Sequence, residues 1–140
     1  MKKNLILMFV GLIMLLSTVN AKAQQSQSTD GQAVKKGMVK VTILYASGEG
    51  KKFDMDYYSN KHIPMVKSLL AGALKLTAID KGISGAAPGA PAPFVVICYL
   101  YFDNVSAYQN AMAVNGGKIR ADISNYTNIQ PVIQISEVLE

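Results

Sequence analysis

The sequence predicts an α+β fold: a four-stranded antiparallel sheet with two helical segments on one of its faces. Residues 38–45 alternate apolar with more polar side chains, as a strand with one buried face does. Residues 94–102, FVVICYLYF, are apolar throughout, which indicates a central strand covered on both sides. Two helical stretches complete the pattern. One follows Asp54, and the other follows Asp103 or Asn104, either of which can cap it.

The first half of the domain supplies two strands and one helix. The segment ASGEGKK forms a loop after the first strand, and Asp54 is suited to cap the helix that follows. Residues 74–83 form the second strand, which ends at the proline- and glycine-rich loop SGAAPGAPAP.

The second half adds a helix and a closing strand. The glycines of NGG at 115–117 predict an interruption, after which residues 118–126 continue as a second helical piece. Pro131 opens the last strand, where its missing N–H is tolerated. The resulting order β-α-β-β-α-β is that of the ferredoxin-like fold.

This arrangement leaves one face of the sheet without helices. The strand at 94–102 presents four largely apolar side chains to that face whichever way it is turned. The two alternative sets are Val95, Ile97, Tyr99 and Tyr101, or Val96, Cys98, Leu100 and Phe102. Because an apolar surface of this size is rarely left in water, we expect two sheets to pack face to face in a homodimer, a dimeric α+β barrel.

The N-terminus has the pattern of a secretory signal peptide. Two lysines precede an apolar run at 5–16, and Ala21 and Ala23 form a small-x-small cleavage site. The run is shorter than the roughly 20 residues that span a bilayer. We therefore expect a signal peptide at 1–23, a flexible leader at 24–37 and the domain at 38–140. The mature protein would be periplasmic or secreted and not bound to a membrane.

Charge and composition argue against several classes of partner. Removal of residues 1–23 takes away three of the 14 basic residues and none of the nine acidic ones, which leaves a net charge of +2. No patch of interleaved basic and aromatic residues accompanies this charge, so we expect no nucleic-acid partner. One histidine and one cysteine are too few for a closed zinc site, and no dinucleotide-binding glycine motif is present. We therefore expect no metal and no cofactor.

The only histidine, His62, lies on the apolar stripe of the first helix. The stripe at helical spacing consists of Met55, Tyr58, His62, Met65 and Leu69. Pro64 should bend or restart the helix close to His62, because its ring conflicts with the carbonyl of Asn60. In the structural interpretation, that carbonyl and a tyrosine satisfy the imidazole. In the functional interpretation, His62 is an acid–base group in a dry pocket.

Four further side chains are candidates for binding a ligand near His62: Tyr57, Tyr58, Met65 and Tyr99. The two adjacent tyrosines can hydrogen-bond either the ligand or the imidazole, although tyrosines at such positions more often serve packing. Cys98 is typical of a small buried apolar residue, and a nucleophilic role would need a cation or His62 to generate its thiolate.

The segments from Met38 to Glu140 resemble the EthD family of small dimeric α+β barrel proteins. The most specific part is the pattern F-D-x-x-Y-Y-x-x-x-H-x-P from Phe53 to Pro64, supported by YFD at 101–103 and NYT at 125–127. Members are often labelled reductases, and related barrels include cofactor-free monooxygenases, cyclases, dehydratases and lactone isomerases. The resemblance implies a pocket role for His62.

Two functions fit these observations. The first is an exported enzyme, oxidoreductase-associated or cofactor-free, that acts on a small apolar, oxygen-bearing molecule in a cleft near His62; isomerase-, lactone-isomerase- or dehydratase-like chemistry is included. The second is a dimer that captures such a molecule, or accompanies an oxidative system, without turnover.

Overall fold

The computed structural model describes residues 33–140. The predicted signal peptide at 1–23 and the greater part of the predicted leader lie outside the described residues. The end of that leader is exposed, and the N–H of Gly37 donates a 2.8 Å hydrogen bond to the carbonyl of Val138. In residues 33–140, no helix has the length and apolar character needed to cross a bilayer.

The four predicted strands form one antiparallel sheet. They are β1 (Val39–Ala46), β2 (Leu74–Lys81), β3 (Phe94–Phe102) and β4 (Val132–Glu137), arranged in the order β2-β3-β1-β4. β1 pairs with β3 and β4, and β3 also pairs with β2. The two central strands are β1, whose side chains alternate in polarity, and β3, which is apolar throughout. The prediction of a ferredoxin-like fold is confirmed.

The first helical segment consists of three consecutive pieces. α1 (Met55–Tyr57) runs into a π-helical turn (Tyr58–His62), which continues as α2 (Ile63–Leu70). The side chain of Asp54 accepts a 2.9 Å hydrogen bond from the N–H of Tyr57, as expected of an N-cap.

The second helical segment differs from the prediction. α3 (Val105–Ala121) runs without a break through NGG at 115–117, and a short 3-10 turn (Ile123–Asn125) follows it. The predicted interruption is wrong, because a glycine inside a helix costs only about 1 kcal/mol and tertiary packing routinely overrides this propensity. The cap is Asn104, whose side chain accepts a 2.9 Å hydrogen bond from the N–H of Ala107.

The two faces of the sheet differ in burial. The side of β3 that packs against the helices is inaccessible, with Val96 and Phe102 at 0% exposure. The opposite side, which carries Ile97, Tyr99 and Tyr101, stays half-exposed in the single chain. Both helical segments therefore pack on one face, and they leave the other face open.

Candidate functional site

The π turn determines which side chains of the first helix point inward. The N–H of Ile63 bonds to the carbonyl of Tyr58, five residues earlier, so the turn holds one more residue than an α-helical turn. The distortion lies directly before Pro64, where the sequence predicts one. After it, the buried positions are Ile63, Val66 and Leu70, and the last two lie one residue beyond the predicted Met65 and Leu69.

His62 is buried and paired with a carboxylate from the end of α3. Its exposed fraction is 4%, and Nδ1 lies 2.8 Å from Oδ2 of Asp122. The ring stacks on Tyr58 at a centroid distance of 5.3 Å and packs against Tyr126 at 4.6 Å. An ionised carboxylate can only accept, so Nδ1 carries the proton, and in a neutral ring Nε2 is the acceptor.

The second oxygen of Asp122 is also occupied. Oδ1 accepts hydrogen bonds from the hydroxyl of Tyr57 at 3.0 Å and from Nδ2 of Asn125 at 2.8 Å. Partial burial acts to raise the pKa of Asp122, but the hydrogen bonds from His62, Asn125 and Tyr57 outweigh it and hold the pKa below its ordinary value. Asp122 is thus an ionised group that orients the imidazole.

The polar chain continues inward from the imidazole through two tyrosines. Nε2 of His62 lies 3.4 Å from the hydroxyl of Tyr126, which is 2.7 Å from the hydroxyl of Tyr45. With the proton on Nδ1, Tyr126 donates to Nε2 and accepts from Tyr45. Burial is the largest cause that raises the pKa of Tyr45 and of Tyr126, so both phenols stay protonated.

Tyr45 and His62, two members of this polar chain, border an apolar cavity between the sheet and the helices. Its volume is about 130 Å³. Its apolar walls include Val41, Ile43, Val66, Leu70, Leu100 and Met112. The lining residues whose side chains carry a polar atom are Tyr45, Tyr58, His62, Cys98, Tyr108 and Arg120. His62 and Cys98 therefore share a cavity, a question that the sequence leaves open.

Cys98 lies deep in this wall with 1% exposure. Burial raises the pKa of its thiol, while the hydroxyl of Tyr58 and the charge of Lys67 act weakly in the opposite direction. Burial likewise raises the pKa of Tyr58. A thiol in this state is a poor nucleophile, which agrees with the structural interpretation of this residue.

The predicted ligand-binding residues separate into two groups. Tyr58 lines the cavity, and Tyr57 supports the site indirectly through its bond to Asp122. Met65 and Tyr99 do not line the cavity. The π turn directs Val66 inward instead of Met65, and Tyr99 lies on the open face of the sheet because it alternates with Cys98 along β3.

Sequence reasoning expected a tyrosine beside His62 but missed its carboxylate partner. Asp122 is 60 positions away, and the tyrosine that contacts the imidazole is Tyr126, 64 positions away. One signal was present: the segment ADISNY at 121–126 puts Asp122, Asn125 and Tyr126 within one turn and a half. The expected contact between His62 and the carbonyl of Asn60 is replaced by the carboxylate. Within residues 33–140, no three His, Cys, Asp or Glu side chains are grouped as a metal site would require.

The fold and the site define a small ferredoxin-like α+β domain whose cavity is bordered by an aspartate-held histidine. The chain belongs to the EthD domain family, which matches residues 47–130. It is similar to an EthD-like protein from Ralstonia eutropha JMP134, with 43% identity over 76% of this chain and 96% of that chain, and a TM-score of 0.71.

A second solved structure is an ethyl tert-butyl ether D (EthD) family protein from Bacillus halodurans C-125. It shares 25% identity over 73% of this chain and 99% of that chain, with a TM-score of 0.58. Comparison with curated proteins finds no significant match.

Proposed function

We propose that the protein binds a small apolar, oxygen-bearing molecule in the cavity, and that His62 holds or moves a proton of that molecule. The observation that carries this proposal is the continuous polar chain from Asp122 through His62 to Tyr126 and Tyr45 beside an otherwise apolar cavity. A titratable side chain beside a pocket that excludes water is the usual arrangement for general acid–base catalysis.

The role of Asp122 follows from its charge and position. It keeps the proton on Nδ1 and directs the lone pair of Nε2 inward, and it stabilises the imidazolium that forms when Nε2 takes a proton. The 3.4 Å contact between Nε2 and Tyr126 is longer than an ordinary hydrogen bond, so an oxygen or acidic proton of a ligand can replace it at low cost.

This arrangement suits reactions that begin with removal of one proton from a ligand. Loss of a C–H or O–H proton next to a carbonyl creates an anion that the hydroxyl of Tyr58 can stabilise, since burial keeps this phenol protonated. Cofactor-free oxidation, isomerisation and dehydration all contain such a step. The substrate class is therefore a small enol, phenol, ketone or lactone.

The experiment compares the wild-type protein with His62→Gln on a panel of small enols, phenols, ketones and lactones. Glutamine fills similar space and can still hydrogen-bond, but it cannot accept a proton at neutral pH. We expect the variant to fold, to retain ligand binding and to lose turnover by about 10²-fold or more. A folded variant that converts a genuine substrate at the wild-type rate would overturn the proposal.

The second candidate is a capture protein that binds the same class of molecule without turnover. It is favoured by one observation: Nδ1 of His62 contacts Asp122 and Nε2 contacts Tyr126, so both ring nitrogens already have a partner within the chain. Binding in both the wild type and His62→Gln, with turnover in neither, would support this alternative.

Export and dimerisation belong to the same proposal. The signal pattern at 1–23 supports a periplasmic or secreted protein that begins at Gln24. The half-exposed apolar face of β3 supports a homodimer with paired sheets. Mass spectrometry of the exported form tests the first statement, and an intact Met1 there would contradict it.

A further inference from the structure

Gly116 occupies an unusual position in α3. Glycine is the poorest helix former after proline, yet this one lies inside a 17-residue helix and is buried. A Cβ built there would meet Nη1 of Arg120 at 2.9 Å and Cε of Met112 at 3.2 Å. The missing side chain thus makes room for two side chains that border the cavity.

Arg120 is the one lysine or arginine that lines the cavity in the described part of the chain. It makes no ion pair there: the salt bridges of residues 33–140 join His62 to Asp122 and Lys75 to Asp103. Asp122, two positions away, has its carboxylate engaged by His62, Tyr57 and Asn125. The guanidinium is therefore free to bind another anion.

The position of Arg120 also indicates the orientation in which a ligand would bind. Arg120 and Ile123 border both the apolar cavity and a second, open groove of about 420 Å³. The groove is more polar than the cavity, and its lining includes Ser124, Thr127, Asn128 and Gln130 beside Ile123 and Ile129. A molecule with one apolar end and one charged end would fit with its apolar end inside and its charge at Arg120.

We propose that Arg120, placed by Gly116, binds the carboxylate of a small organic acid whose apolar body fills the cavity. A guanidinium matches a carboxylate through two parallel hydrogen bonds. The cavity of about 130 Å³ has the size of one that accommodates a single benzene ring, roughly 150 Å³. This inference rests on the proposed function and narrows its ligand class.

The test uses two probes that differ in charge and hardly in shape, phenylacetate and phenylacetamide, with affinities measured by calorimetry. We expect the wild-type protein to bind the acid about tenfold more tightly than the amide, the scale of one charge-assisted hydrogen bond at a solvent-accessible site. Arg120→Gln should abolish the preference, whereas Lys118→Gln, which removes an exposed charge on the same helix, should retain it.

The two adjacent glycines provide a matched pair of variants. Gly116→Ala should fold and should weaken the preference for the acid, because the new methyl group requires the guanidinium to shift. Gly117→Ala should keep the preference, since a Cβ there meets nothing within 4 Å. A preference that survives both Arg120→Gln and Gly116→Ala would overturn the assignment.

The probes also distinguish failure of this inference from failure of the proposed function. Equal affinity of the wild-type protein for the acid and the amide would support an apolar ligand cavity and would overturn the role of Arg120. Binding of neither probe would contradict the ligand cavity, and the inference would fail with it.

Discussion

Asp122 accepts a hydrogen bond from Nδ1 of His62 at 2.8 Å, although 60 positions separate the two residues in the chain. The pair joins the end of α3 to the π turn of the first helical segment. Because the same carboxylate also accepts from Tyr57 and Asn125, its charge stabilises the packing of two elements and the tautomer of the imidazole together.

Asp122→Asn should lower the free energy of unfolding at pH 7 by about 1 to 3 kcal/mol, the range for hydrogen bonds to a charged group. The folded pKa of Asp122 lies below its ordinary 3.8, so its stabilisation is present above that value and is lost as the pH falls through the folded pKa. Urea titrations from pH 7 to pH 2 should show a smaller acid loss in the variant. The exposed loop variant Glu49→Gln is the control, and equal acid sensitivity of Asp122→Asn and the wild type would contradict this account.

The hydrogen bond between Tyr45 and Tyr126 should appear as coupling in a double-mutant cycle. Each single change to phenylalanine leaves a buried hydroxyl with a lost partner and should cost about 1 to 3 kcal/mol. The double variant should cost less than the sum, because both hydroxyls leave together. Strict additivity in urea unfolding would show that the 2.7 Å contact contributes nothing.

Ile97→Glu should convert the proposed dimer into a monomer. Ile97 lies in the middle of β3 on the face that the helices do not cover, so a carboxylate there would be buried without a partner between two sheets. Val114→Glu introduces the same charge on α3, where the valine is 83% exposed, and should leave the mass unchanged. Light scattering decides the matter: a monomeric wild type at micromolar concentration, or a dimeric Ile97→Glu, would exclude this interface.

Cys98 should react slowly with a large charged disulfide reagent in the native protein and rapidly after unfolding. Its thiol is 1% exposed, and its raised pKa moves thiolate formation above the ordinary 9.0. Native labelling should therefore accelerate only at a higher pH than labelling of the unfolded chain. Equal rates at pH 8 would mean that the cavity is open to the reagent.

The sequence predicted correctly those features that depend on neighbouring residues in the chain. The strands at 94–102 and 38–45, the cap at Asp54 and the inward position of His62 follow from alternation, helical spacing and side-chain chemistry. The packing beyond the π turn differed by one residue, because Pro64 predicts a distortion of the helix but not the extra residue that a π turn adds.

The remaining features depend on tertiary contacts. Gly116 is helical, with Arg120 and Met112 in the space beside it, a relationship that the pattern NGG does not contain. Asp122 becomes a partner of His62 only after the two helical segments pack together on the sheet. Local propensity predicts elements, whereas a site made from three separate segments requires the fold itself.

The most direct test of the central claim, that Asp122 presents Nε2 of His62 to a ligand, is nitrogen NMR of protein labelled with ¹⁵N-histidine. The chain has one histidine, so the ring gives a single pair of signals without ambiguity. At about pH 9, where an ordinary imidazole is neutral, we expect the proton on Nδ1, and we expect the Nε2 signal to move on addition of phenylacetate or phenylacetamide. A proton on Nε2, or an Nε2 signal that stays unchanged while a probe binds, would contradict the claim.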